Sequence, residues 1–172
     1  PKISGADLAK FIASGVNADH TQQTPESIVE KITNGMYLEM QGKSIHEDTI
    51  RTLMEHQFYE YFSLVTDDVM PDHFLHGHLN QVLLSAVRCG LPMEKAIYCS
   101  TFTSARRMHL DDRGVIAPGK IADFVLLDSL EDWTVHKVYK NGVLVSELQS
   151  GYAIAEKPVS FPPEFYHSLH HR

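Results

Sequence analysis

Residues 16–41, VNADHTQQTPESIVEKITNGMYLEMQ, contain the pattern on which the predicted fold depends. Residues 16–19 form a short segment typical of a strand, and residues 36–41 alternate apolar and polar side chains as a strand does. Between them, Thr24 followed by a proline favours the first turn of a helix, and Asn34-Gly35 ends it. The stretch therefore predicts a strand-helix-strand unit.

The same alternation continues on both sides of this unit. A third apolar strand is predicted at residues 61–66. Capping residues and apolar spacing predict further helices, which run from Ser4 to Gly15, from Ser44 to about residue 59, over residues 77–89, from Pro92 onward, and over residues 101–108. Strands that alternate with helices favour right-handed crossovers on a parallel sheet, an α/β fold. Three units are too few for a closed eight-stranded barrel but can form part of one, with the chemistry at the carboxyl ends of the strands.

After Asp111 the pattern changes to that of an antiparallel sheet. Strands are predicted at residues 121–128, 134–140 and 143–147, and Asn141-Gly142 is a strong signal for a two-residue hairpin turn. We expect the first of these strands to be buried. From Gly151 onward the chain is rich in proline and irregular. The sequence therefore predicts a second, smaller β unit behind the α/β part.

Composition excludes several classes of protein. The formal net charge of -7 and the absence of a basic run argue against binding to nucleic acid or to an acidic lipid surface. No apolar run approaches the roughly 20 residues that span a bilayer. Cys89 and Cys99 are too few for a disulfide framework, so we interpret both as reduced core residues. We expect a cytoplasmic protein.

Two residues at predicted strand ends are candidate metal ligands. His20 ends the first strand, and Asp67 ends the third. An imidazole and a carboxylate suit a divalent transition ion such as zinc, manganese or iron. A metal-bound water is acidic near neutral pH, and a neighbouring carboxylate can accept its proton. The alternative is that both residues cap the following helices or face solvent.

Further acidic and histidine residues follow Asp67. Asp68 can favour the positive end of the next helix, or it can lie in a site. His73, His76 and His78 surround the start of that helix, but their spacing is not the i, i+4 pair that two zinc-binding histidines usually form. Each of the three can contact substrate or metal, or be an ordinary polar residue. The remaining histidines are interpreted as helix, strand or tail residues.

Longer segments resemble the adenine deaminase family of the amidohydrolase superfamily. GVIAPGKIADFVLLD, residues 114–128, resembles the superfamily segment in which the chain leaves a metal-bearing barrel and enters a small β-sandwich. Three other segments are similar to adenine deaminases in particular, namely GADLAKFIASGVNADH, TPESIVEKITNGMYLEMQ and LVTDDVMPDHFLHGHLNQVL. VHKVYKNGVLV is similar to the closing hairpin of that family. The resemblance covers almost the whole chain.

The resemblance implies a fold and a reaction. Residues 1–112 would be the last three βα units of a (β/α)₈ TIM-like barrel, residues 113–150 strands of a small β-sandwich, and residues 151–172 an irregular tail leading to a missing C-terminal region. A metal-activated hydroxide, formed on one or two Mn, Fe or Zn ions, would convert adenine and water to hypoxanthine and ammonia.

The resemblance also assigns roles to residues. His20 would be a metal ligand, and Asp67 would bind metal and act as base and proton shuttle. Asp68 and His78 would lie in the wall of the substrate pocket. The substrate would be a small molecule, a purine base or similar, and no nucleic acid or membrane partner is implied.

The chain departs from the family pattern in two places and leaves two alternatives open. Thr21 stands where the family usually has glutamate, and Val69-Met70 where basic residues are common, which indicates a divergent branch. The other metal ligands of the family lie upstream, so we expect the missing remainder of the same protein as a partner, and a homo-oligomer. The alternatives are an amidohydrolase acting on another cyclic amide or amine, and an inactive truncated relative that serves as a structural or binding module.

Overall fold

A three-stranded parallel sheet forms the centre of the first part of the chain. The computed structural model describes residues 2–70, 77–131 and 133–145. The strands are β1 (Ala18–Asp19), β2 (Tyr37–Met40) and β3 (Phe62–Leu64), in the order β1-β2-β3. Both pairings are parallel. The predicted α/β fold is confirmed, although each strand is shorter than its sequence pattern indicates.

Six α-helices accompany the strands in the described part of the chain. They are α1 (Gly5–Ala13), α2 (Pro25–Thr33), α3 (Glu47–Glu55), α4 (Leu79–Arg88), α5 (Met93–Ser100) and α6 (Phe102–Arg107). Two 3₁₀ turns, Gly42–Ser44 and Phe58–Glu60, flank α3. The helix predicted to continue to about residue 59 is therefore interrupted after Glu55, where Gln57 adopts a left-handed conformation with φ of 54°.

The hydrophobic core lies on one face of the parallel sheet. Leu38 pairs in register with Phe62, and Met40 with Leu64, and all four side chains are at most 1% exposed. Helix residues complete this core, among them Ile28, Ile32, Ile50, Leu53, Leu83, Ala86 and Ala96. Burying one such large side chain contributes about 1.5–3 kcal/mol. The apolar spacing of the helices thus fixes which sheet face they cover.

The opposite sheet face carries polar side chains and is approached by α6. Tyr37 and Glu39 alternate with the core residues of β2 and therefore project to this second face. Arg107 donates a hydrogen bond to Asn17 Oδ1 at 2.9 Å, and its guanidinium lies 5.7 Å from the centre of the Tyr37 ring. The end of α6 therefore lies against the amino ends of β1 and β2.

Helix capping differs between α1 and α2 although both start after a hydroxyl residue. Thr24 Oγ1 accepts a hydrogen bond from Ser27 N at 3.3 Å, and Ser27 Oγ accepts one from Thr24 N at 2.8 Å. Ser4 occupies the N-cap position of α1 without a side-chain capping bond. The predicted cap is confirmed for Thr24, whereas Ser4 marks the helix start only by position.

This difference predicts unequal effects of removing the two hydroxyls. Thr24→Ala is expected to lower the free energy of unfolding of the intact protein by about 1 kcal/mol, because an N-terminal amide loses its acceptor. Ser4→Ala is the matched control and should leave that free energy nearly unchanged. Urea denaturation followed by circular dichroism measures both. Equal losses from the two variants would contradict the capping assignment.

The start of α3 corrects one prediction. Ser44 was expected to cap this helix, but it belongs to the preceding 3₁₀ turn, and its Oγ accepts a hydrogen bond from Gln23 N at 3.1 Å. His46 is the N-cap residue instead, and its backbone N–H donates to Thr49 Oγ1 at 3.0 Å. The Ser44 hydroxyl bonds to the loop that contains Gln23 and does not cap α3, so the helix begins two residues later than predicted.

The second part of the chain forms an antiparallel sheet with β4 (Phe124–Ser129), β5 (Thr134–Lys140) and β6 (Val143–Leu144). Asn141 and Gly142 both have positive φ, 52° and 77°, as the predicted hairpin turn requires. The prediction that the first strand is buried was wrong, since Val125 and Leu126 are 47% and 43% exposed. Within the described ranges this sheet has three strands, in the order β4-β5-β6.

Two further predictions concern the cysteines and possible membrane spans. Cys89 and Cys99 are both free, and Cys99 is buried, as predicted for reduced core residues. Among the helices that the structure describes, none combines the length and the apolar character that a membrane span requires.

Candidate active site

The carboxyl ends of the three parallel strands meet at one edge of the sheet. His20 follows β1 directly, Gln41 follows β2 directly, and Asp67 lies three residues beyond β3. We call these three residues the rim. His20 and Asp67 are exposed, whereas Gln41 is only 6% exposed. His20 therefore lies at the end of β1 as predicted, whereas β3 ends three residues before Asp67.

Gln41 connects the two candidate ligands. Its Nε2 donates a hydrogen bond to Asp67 Oδ2 at 2.8 Å and another to the backbone carbonyl of His20. Gln41 was predicted at a strand end but not as a site residue. The signal was available, because a polar residue that ends an alternating strand lies at the same edge as its neighbours in a parallel sheet.

Asp67 has an unusual backbone conformation. Its φ is 60°, in the left-handed region, which few residues other than glycine adopt and in which aspartate is enriched. The turn brings the carboxylate back to the amide of Gln41. The side chain is thus attached to the sheet although the residue itself is exposed.

A buried ion pair lies beneath His20. Lys31 Nζ in α2 is 2.8 Å from Asp19 Oδ2, and the side chains of both residues are 2% exposed. Gln23 bridges them, since its Nε2 donates to Asp19 Oδ2 at 2.8 Å and its Oε1 accepts from Lys31 Nζ at 2.9 Å. We call Asp19, Gln23 and Lys31 the buried network.

The electrostatics of this network favour a charged carboxylate. Burial raises the pKa of Asp19, but the bond from Lys31 and the other hydrogen bonds lower it by more, so the pKa lies well below the usual 3.8. This pair was not predicted from the sequence. Its signal was Lys31 itself, which follows Ile28 at i+3 and precedes Ile32 on the apolar face of α2.

Thr21, one of the departures from the family pattern, belongs to the same arrangement. Its backbone N–H donates to Asp19 Oδ1 at 3.1 Å, and its hydroxyl donates to Asp19 Oδ2 at 2.8 Å. The residue after His20 therefore turns back toward the buried carboxylate. This contact orients the loop in which His20 lies.

The other predicted site residues are less closely associated with the rim. Asp68 and His78 are exposed, and His78 is the N-cap residue of α4, with its backbone N–H donating to Asn80 Oδ1 at 2.8 Å. His73 and His76 lie outside the described residues. The described contacts thus connect His20 and Asp67 through Gln41. Asp68 and His78 follow Asp67 in the sequence and are exposed.

The donor chemistry at the rim is suitable for part of a metal site. An imidazole and a carboxylate are ligands for divalent zinc, manganese or iron, and the bond from Gln41 is the kind of outer hydrogen bond that orients a ligating carboxylate. Among the residues that the structure describes, no group of three or more His, Cys, Asp or Glu side chains could hold a metal ion. The described residues therefore do not form a metal site by themselves.

Comparison with known proteins identifies the class. The sequence model of the amidohydrolase family matches residues 43–145, so the chain belongs to the amidohydrolase family. It is 52% identical over 170 residues to adenine deaminase 2 of Oenococcus oeni, covering 99% of this chain and 29% of the relative. It is 56% identical over 151 residues to an adenine deaminase of Clostridium perfringens, covering 88% and 27%. The chain thus spans less than a third of the length of these curated relatives.

A solved structure supports the fold. The β-aspartyl dipeptidase of Fervidobacterium islandicum AW-1, crystallised with a β-Asp-Leu dipeptide, superposes with a TM-score of 0.54 at 22% identity. The superposition covers 70% of this chain and 36% of the dipeptidase chain. At this identity the likeness concerns the α/β fold alone.

Proposed function

We propose that the intact protein containing this chain catalyses the metal-dependent hydrolytic deamination of adenine to hypoxanthine and ammonia. The observation that carries the proposal is the rim, where Gln41 joins the carboxylate of Asp67 to the main chain of His20. The relatives of about half-identical sequence are named adenine deaminases, which supports adenine as the substrate.

The fold of the intact protein is part of this proposal. We assign β1, β2 and β3 with their helices to the last three units of a (β/α)₈ barrel, and the second sheet to a small β-sandwich, with the boundary near residue 112. In support, α2, α3, α4 and α5 contribute residues to the core that covers one sheet face, and β1 and β3 are the outer strands of the described parallel sheet. Unpaired edges of this kind favour further strands, which fits the remainder of the same protein as a partner and also a homo-oligomer.

The proposed roles follow from position at the rim. His20 and Asp67 would hold a divalent ion, Mn, Fe or Zn, as two members of a set completed by the remainder of the protein. The presence of a divalent ion also agrees with membership of the amidohydrolase family. Asp68 and His78 would contact the purine in the pocket wall. A bound ion supplies a Lewis acid that makes water nucleophilic near neutral pH.

The chemistry assigned to this chain is proton transfer and positioning. The Asp67 carboxylate takes a proton from the attacking water and delivers it to the exocyclic amine as that group leaves. A C–O bond forms at C6 of adenine, the C–N bond breaks, and ammonia departs. The buried network supports the loop of His20 from below, because its carboxylate accepts two hydrogen bonds from Thr21.

Ammonia release from adenine by the intact protein tests the proposal. Activity should disappear on removal of metal by a chelator and return with Mn²⁺, Fe²⁺ or Zn²⁺. His20→Ala should lose the bound metal on dialysis and with it the activity, whereas His56→Ala should retain both. His56 is the matched control because it is an exposed histidine beside the turn that precedes β3. Its ring stacks on the Phe58 ring, with 5.0 Å between the ring centres.

Assays with other substrates distinguish adenine deamination from related activities. Release of ammonia from a different cyclic amine, or ring opening of a cyclic amide, without reaction of adenine would assign the protein to another amidohydrolase activity. A native-like metal content and activity of His20→Ala would contradict the assigned ligand. The cytoplasmic location remains a prediction from the sequence.

A further inference from the structure

We infer that Gln41 is a positioning residue of the active site, which holds the Asp67 carboxylate and the His20 main chain in their working geometry. This inference rests on the proposed function, because it assigns Gln41 to the same rim. Gln41 does not contact substrate in this assignment and acts through Asp67. The geometry that supports it is the pair of hydrogen bonds from one amide group.

The place of Gln41 in the sheet makes it suited to this role. β2 lies between β1 and β3, so a side chain at its carboxyl end can reach the loops that follow both neighbours. Gln41 is 6% exposed, and its amide is therefore shielded from competing water. The two contacts span 21 and 26 residues of sequence, so one side chain connects all three strand ends.

The orientation of the amide is determined by its partners. A backbone carbonyl and a carboxylate both accept hydrogen bonds, so the NH₂ group of Gln41 must face them. Each of its two hydrogens then serves one partner. An apolar side chain of the same length fills the space but supplies neither hydrogen, and asparagine is one methylene too short to keep both contacts.

The consequence for Asp67 is a restricted carboxylate. The residue is exposed and follows a left-handed turn, and a surface carboxylate without a fixed partner samples several rotamers. The bond at 2.8 Å holds Oδ2 against β2, which leaves Oδ1 to meet an ion or a water molecule. Outer hydrogen bonds of this kind commonly change metal affinity or activity by about 10- to 100-fold.

A double-mutant cycle on the intact protein tests the inference with Mn²⁺ as the probe. Calorimetric titration of the metal-free protein with Mn²⁺ should show about 10- to 100-fold weaker binding for Gln41→Met than for the wild type. The same substitution should change Mn²⁺ affinity little in an Asp67→Ala background, because that background lacks the side chain through which Gln41 acts. In the assay with adenine, Gln41→Met should lower kcat more than it raises KM.

Controls separate positioning from a structural role. Gln57→Met is the matched control, since Gln57 is an exposed glutamine before β3, at the opposite end of the sheet, and it should leave Mn²⁺ affinity unchanged. Gln41→Asn keeps a polar side chain and serves if the methionine variant does not fold. Equal losses of Mn²⁺ affinity in both Asp67 backgrounds, or no loss in either, would overturn the inference.

The Mn²⁺ titrations test the role of Gln41 whether or not adenine is the substrate. If the intact protein binds Mn²⁺ but does not deaminate adenine, the proposed function fails and the cycle still decides the role of Gln41. If the wild-type protein binds no Mn²⁺, the assignment of Asp67 as a ligand fails, and the inference fails with it.

Discussion

Asp67→Asn in the intact protein is expected to lower kcat for adenine deamination by about 10²- to 10⁴-fold, the usual contribution of a general base. The substitution keeps the shape of the side chain and an oxygen that can accept the hydrogen bond from Gln41, which is 2.8 Å away in the structure. What it removes is the negative charge and the ability to accept a proton from water. Steady-state ammonia release, with metal content measured on the same samples, checks the result.

The control for this variant is another exposed aspartate. Asp7→Asn lies in α1, where the carboxylate pairs with Lys10 at 3.3 Å on the surface, and it should leave kcat unchanged. Circular dichroism and the melting temperature should show that Asp67→Asn is folded. A kcat within tenfold of the wild type would mean that Asp67 is not the base.

Much of the fold followed from local patterns in the sequence. Thr24-Pro25 and Asn34-Gly35 correctly indicate the limits of α2, because a capping hydroxyl and a glycine with φ of 93° act within one turn of chain. The hairpin at Asn141-Gly142 was also predicted correctly, because its turn depends on neighbouring residues. Burial of β4 could not be predicted in this way, since it depends on what packs against the sheet.

The candidate site was predicted less completely than the fold. His20 and Asp67 were selected because imidazole and carboxylate groups at strand ends suggest metal chemistry. Gln41 and Lys31 were missed because their importance comes from contacts across 21 or 12 residues of sequence. A glutamine has no chemistry of its own to attract attention, and a lysine on a helix normally faces solvent. The place of this lysine beside Ile28 and Ile32 on the apolar face of α2 is a local sign of burial, but its partner Asp19 is known only from the folded chain.

Lys31→Met is expected to lower the free energy of unfolding at neutral pH by about 3–5 kcal/mol, because it breaks the ion pair of Lys31 with the buried Asp19 carboxylate. Both side chains of this pair are 2% exposed, so water does not replace the lost interaction. Methionine has a similar length and packs well, so little of the loss would come from a cavity. Urea denaturation of the intact protein measures the difference.

The exposed pair of α1 provides the control. Lys10 and Asp7 are 78% and 76% exposed and lie 3.3 Å apart, so Lys10→Met should cost at most about 1 kcal/mol. A second control replaces both buried partners. Asp19→Leu combined with Lys31→Met should recover part of the loss, since no unpaired charge then remains in the interior.

The pH dependence of the loss identifies its cause. In the wild type the pKa of Asp19 is below the usual 3.8, so its contribution to stability is complete above that pH and disappears as pH falls through the lower, folded-state pKa. Without Lys31 the pKa of Asp19 is higher than in the wild type, because less opposes the effect of burial, so protonation relieves the buried charge at a higher pH. The difference between variant and wild type should therefore be largest near pH 7 and should shrink as the solution is acidified. A difference that is constant from pH 7 to pH 4, or one no larger than that of Lys10→Met, would show that the loss comes from packing and not from the buried ion pair.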